Sequence, residues 1–122
     1  MLNSFIFIAH GPAWWREISA DPDKSKTYPT GPIVSVGKER RLLSDCYNLC
    51  ADISATSGFN TLSRDISFSE DFVEKHSDKL IFGSDFLCIA PDGHQDGPIM
   101  RHLELLRTLR ILGENALSLM GE

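Results

Sequence analysis

Two short apolar runs in this chain stop at residues that can do chemistry. Leu80-Ile81-Phe82 gives way to Gly83-Ser84-Asp85, and Phe5-Ile6-Phe7-Ile8-Ala9 gives way to His10-Gly11. A carboxylate just past a buried strand can hold a divalent ion through one oxygen. Its other oxygen can take a proton from the metal-bound water, whose pKa the ion lowers to about 7, making hydroxide available at neutral pH. A histidine in the same position offers a neutral imidazole nitrogen to Zn²⁺ or a similar ion. In α/β proteins, ligands sit beyond the carboxyl ends of the strands. His10 and Asp85 are therefore candidate metal ligands, and Asp85 is also the candidate catalytic carboxylate. This requires both side chains to reach the same rim. The plainer reading makes His10 a strand-end cap and Asp85 a turn cap.

Other residues are weaker candidates. Asp52 also stands near a strand end, followed by Ser54, where it can bind substrate, support a site or simply cap a turn. His94, in a polar loop, is a candidate substrate contact. Arg64 and Asp65 read as an internal ion pair tying the following loop. His76 and His102 read as helix-surface residues. Cys46, Cys50 and Cys88 are an odd count without framework spacing, which fits packed reduced thiols in a cytoplasmic protein.

The elements that must position these groups alternate. Phe5 to Ala9, a continuous apolar run, reads as a fully buried strand. Ala13 to Ser19 reads as a short helix with Pro12 in its first turn. Ala20 to Pro32 is turn and breaker material, expected to be a solvated connection. Lys38 to Cys46 reads as a helix, and Asn48 to Ser54 as the second strand. Ser57-Gly58 and the residues after them read as a connection. Ser67-Phe68-Ser69-Glu70 has capping-box spacing and should open a helix running to about His76. Leu80 to Phe82 is the third strand, and Pro91 to Gly97 a polar loop. Met100 to Leu112 is an amphipathic helix through Leu103, Leu106, Leu109 and Ile111. It ends at a C′ glycine, Gly113, before a short helix over Glu114 to Met120. Strands alternating with helices imply parallel pairing through right-handed crossovers. A sheet of only three such strands has two unprotected edges, so the pattern reads as part of a larger α/β layer.

Composition narrows the function classes. The 122 residues suffice for one modest domain, and 42% hydrophobic with 24% charged residues is ordinary for a soluble globular chain. The net charge of −5 and the scattered arginines disfavour nucleic acid. No apolar run is long enough to span a bilayer, and Met1-Leu2-Asn3-Ser4 lacks the positive start of a signal peptide.

The ordered set Ile8-Ala9-His10-Gly11, Asn48-Leu49-Cys50-Ala51-Asp52-Ile53-Ser54, Leu80-Ile81-Phe82-Gly83-Ser84-Asp85 and the terminal Gly113-Glu114-Asn115-Ala116 with Leu119 resembles the C-terminal part of the amidohydrolase-related family. That family comprises metal-dependent barrel hydrolases, hydratases and decarboxylases, aminocarboxymuconate semialdehyde decarboxylase among them. The resemblance implies an α/β fold, a partial (β/α)₈ TIM barrel represented by its C-terminal half, with parallel strands. It implies a divalent metal, Zn²⁺ first, with Asp85 as ligand and proton-handling carboxylate and His10 as histidine ligand. The substrate would be a small molecule, and the reaction hydrolysis or decarboxylation. The family's first-strand His-x-His pair is missing, and so is a clear counterpart of the decarboxylases' further histidine. Such a barrel needs about 250 residues, so the chain is expected to be an incomplete portion that binds metal weakly and associates with itself or with the missing half. The alternatives are a non-catalytic α/β interaction module, with acidic pockets and recruiting sheet edges, or a decayed gene product.

Overall fold

The computed structural model describes residues 5–83 and 99–109. Within them the elements run β1 (Phe7–Ala9), α1 (Pro12–Arg16), α2 (Lys38–Asp45), β2 (Leu49–Asp52), α3 (Ala55–Ser63), α4 (Ile66–His76), a 3-10 turn (Ser77–Lys79), β3 (Leu80–Ile81) and α5 (Ile99–Thr108). The expected loop over residues 91–97, Gly113 and the last short helix lie outside the described residues.

The described strands form a three-stranded parallel sheet in the order β1-β2-β3. The mixed α/β class and the parallel pairing expected from the alternation of elements are both present. Phe7 pairs with Leu49 and Ala9 with Ala51 on one side of β2, and Ala51 pairs with Leu80 on the other. The central strand β2 carries the core of the sheet. Ala51 and Ile53 are fully buried, in one cluster with Trp15, Ile18, Leu43, Leu62, Phe72, Leu80 and Leu106.

Several expectations require correction. The run Phe5 to Ile8 is not buried: its side chains are 61, 52, 53 and 53% exposed. An all-apolar run marks a strand suited to the middle of a parallel sheet, yet β1 stands at the end of the described strand order. The stretch after Ser54 is not a connection but α3, which packs against α1, α4 and α5. Its Ser, Thr and Gly residues are weak helix formers, and tertiary packing overrides them. At Gly58 a Cβ would meet the Ile53 carbonyl oxygen at 2.1 Å, so only glycine lets α3 approach the end of β2 this closely. The turn into α3 also holds Ala55 at φ +57°, a left-handed backbone that costs a non-glycine residue roughly 1 kcal/mol.

The start of α4 differs as well. Asp65 is its N-cap, taking the Phe68 N–H at 3.1 Å through one oxygen and the Ile33 N–H at 2.9 Å through the other. Ser67 therefore opens no capping box, and Arg64 and Asp65 are not primarily an ion pair. Arg64 instead donates to the Gly31 carbonyl at 2.9 Å, while Asn60 donates to the Pro29 carbonyl at 3.0 Å. The far half of the 20–32 loop is thus fastened to α3 and the start of α4.

Candidate active site

The site follows from the sheet register. Partners in a parallel ladder project their side chains to the same face. Ala9 is paired with Ala51, so the next residues along, His10 and Asp52, emerge side by side at the carboxyl end of β1 and β2. His10 Nδ1 lies 2.9 Å from Asp52 Oδ2. With an ionised carboxylate as acceptor, Nδ1 carries the proton it donates.

Asp52 is itself held on three sides. Its Oδ1 accepts the Ser54 N–H at 2.8 Å, closing the turn into α3. Its main-chain oxygen accepts the Trp15 indole N–H at 2.8 Å, which ties β2 to α1. The carboxylate side chain is 22% exposed and the imidazole 46%. Asp52 therefore caps a turn with one oxygen and orients a histidine with the other, so two of the three roles considered from sequence, cap and support, coexist.

A second histidine stands near this rim, and sequence reasoning missed it. His102 is not on a helix surface: it is 2% exposed, and Nε2 is buried with no hydrogen-bond partner. Its ring lies edge-on to Phe59 of α3, at 5.8 Å between centroids, and to Phe82 just past β3, at 5.2 Å. Burial holds it neutral, lowering its pKa to about 4, while the Asp52 carboxylate pulls weakly the other way. The signal was in the spacing: His102, Leu106 and Leu109 stand at i, i+4 and i+7 and form one buried stripe. His76 shares the same oversight. It is 4% exposed, lies four residues after Phe72, and its ring sits 5.0 Å from that phenyl. Burial first, then the neighbouring Arg40 cation, lowers its pKa.

Asp85 and His94, the other candidates, lie outside the described residues. Their distance from His10 and Asp52 is therefore not part of this geometry. Among the described residues, no group of three His, Cys, Asp or Glu side chains could hold a metal ion. A cleft of about 410 Å³ lies elsewhere, lined by Ser19, Asp23, Lys26, Val34 and Arg64 among others. It includes neither His10 nor Asp52. No helix of the described residues is long and apolar enough to cross a membrane. Comparison with protein-family models, curated proteins and solved structures found no match to this chain, and so none that identifies an amidohydrolase-related family.

Proposed function

We propose that this chain is an incomplete portion of a metal-dependent barrel enzyme of the amidohydrolase-related kind, a hydrolase or decarboxylase of small molecules acting at the carboxyl rim of its sheet. The observation that carries the reading is the 2.9 Å contact between His10 and Asp52 at the ends of neighbouring parallel strands. A carboxylate behind an imidazole is the usual support of a metal-binding histidine, and it also supports a histidine that moves protons. The ordered motifs that contain His10, Asp52 and Asp85 support the same reading.

The described residues alone do not suit a metal centre. Among them His10 and Asp52 are engaged with each other, and no third His, Cys, Asp or Glu side chain joins them. Asp52 orients the His10 ring at the rim through the Nδ1 contact. The proposed carboxylate ligand remains Asp85, with Asp52 and His94 as substrate contacts.

The test is a titration of the purified chain with Zn²⁺ by calorimetry. Binding should be weak, and His10→Ala should abolish it. A tightly held stoichiometric metal would overturn the incomplete-site reading, and binding unaffected by His10→Ala would overturn the assignment of His10. A non-catalytic interaction module is the second reading, favoured by the exposed apolar surface of β1.

A further inference from the structure

Strand β1 is apolar on both of its faces and stands at the end of the described strand order. Phe5, Phe7 and Ala9 alternate with Ile6 and Ile8, no charge falls between Phe5 and Ala9, and four of the five side chains are more than half exposed. Natural edges are blunted by lysine, proline or a bulge; this one has none of them. Register defines the free backbone. The Phe7 N–H donates to the Asn48 carbonyl at 2.8 Å, so Phe7 turns its backbone toward β2. Alternation then turns the N–H and C=O groups of Ile6 and Ile8 outward, where among the described residues they meet no strand.

We propose that β1 docks a second copy of this chain, the two β1 strands running antiparallel about a two-fold axis at Phe7. The outward backbone is self-complementary in this register. Ile6 faces Ile8 of the second copy and exchanges both hydrogen bonds with it, and the symmetric pair does the same. The two Phe7 residues form the non-hydrogen-bonded pair between them, with their rings on one face. An uncharged strand also meets its own copy without repulsion, despite the net charge of −5 on each chain. A two-fold contact consumes the β1 edge on both copies and so closes there.

The area is consistent with a dimer of modest strength. Continuing the register two residues back sets Phe5 opposite Tyr47, which is 68% exposed and extends the patch. Phe5, Ile6, Phe7, Ile8 and Tyr47 together present on the order of 500 Å² per copy, but they lie on both faces of the sheet and an edge contact covers only part of them, so the interface falls in the small, transient class. The dimer should therefore depend on concentration. This inference does not use the chemistry at His10 and Asp52. It claims for a second copy the same β1 edge at which the proposed barrel's missing strand would pair, and the covalent link through position 7 distinguishes the two.

Sedimentation velocity across a concentration series tests it. The chain should shift from monomer to dimer. Ile8→Lys should remain monomeric with an unchanged far-ultraviolet spectrum, whereas Val34→Lys, at a site 88% exposed on the 32–36 segment, should still dimerise. Oxidation of Phe7→Cys should give a covalent dimer linked through position 7, because Cα atoms in such a pair stand about 4.5 Å apart, within disulfide reach. This bridge decides the matter if Ile8→Lys fails to fold. A monomer at every concentration, a dimer insensitive to Ile8→Lys in a folded chain, open-ended aggregation, or no bridge through position 7 would each overturn the proposal.

Discussion

Burial shifts Glu39 and His102 in opposite directions. Glu39 in α2 is 1% exposed, with Oε2 unpartnered, and burial, helped by the nearby Glu17 carboxylate, raises its pKa from 4.5 to about 7. A carboxyl raised in the folded state contributes stability that is whole below the unfolded value of 4.5 and is lost as pH rises through about 7. His102, lowered to about 4, contributes stability that is present above its unfolded value of 6.5 and is lost as pH falls through about 4. His76, lowered in the same direction, adds to the acid flank. Stability should therefore peak between the two flanks and fall on either side. Urea unfolding of Glu39→Gln should show a clear gain near pH 8 and little or none near pH 5; an equal gain at both would remove Glu39 as the source of the alkaline loss. Glu39 stands four residues before Leu43, also fully buried, so its burial could have been read from helical spacing. Its effect on pH dependence could not, because that depends first on how completely the fold closes over the carboxyl and only then on how near Glu17 is brought.

At the scale of elements, one side chain joins two of them. Asp65 caps α4 and holds the Ile33 N–H, and both hydrogen bonds, with that to Ile33 the larger influence, keep its carboxyl below the usual range. Asp65→Ala should lower stability by about 1–2 kcal/mol, the loss of a cap together with a backbone donor left unpaired. Asp65→Asn, which keeps the acceptor, should lose less. Equal losses in denaturant melts would mean that charge rather than hydrogen bonding carries the effect. Helix α2 is finished similarly, by the Lys79 ammonium, which donates to the carbonyls of Leu43 and Cys46. The sequence located most of these elements. Pro12 marked α1, and the strands reading over Leu49 to Asp52 and Leu80 to Ile81 appear in the structure. It failed at α3, where the helix exists because Gly58 can lie against Ile53 rather than because its residues favour helix. It also misplaced the start of α4, where the Ser67-x-x-Glu70 spacing drew attention from the true cap two residues earlier.

At the scale of the molecule, hydrophobic patterning specified strand character but not its surroundings. Phe5 to Ala9 reads as interior, and its side chains are exposed because, among the described residues, β1 packs mainly against β2 and no helix substantially covers its faces. The site was legible to the same extent. Two strand ends with polar residues were visible in sequence, and the parallel register brings His10 and Asp52 together. His102 joins from 50 residues beyond Asp52, through an approach of α5 to α3 that no local pattern encodes.

The fastening of residues 29–33 also governs how the folded chain is cut. Asn60, Arg64 and Asp65 grip the Pro29 and Gly31 carbonyls and the Ile33 amide. A protease needs a stretch of backbone that can leave the body and enter its cleft, so this half of the connection is refractory. Lys24 and Lys26, exposed just upstream, are the accessible bonds. Brief trypsin treatment should nick the chain there first, and the two pieces should co-elute, since the stub before the cut stays anchored by Ile18 and the stub after it by Ile33, both in the apolar interior. Immediate dispersal of the pieces would show that the grip on the 29–33 segment is too weak to hold a broken chain together.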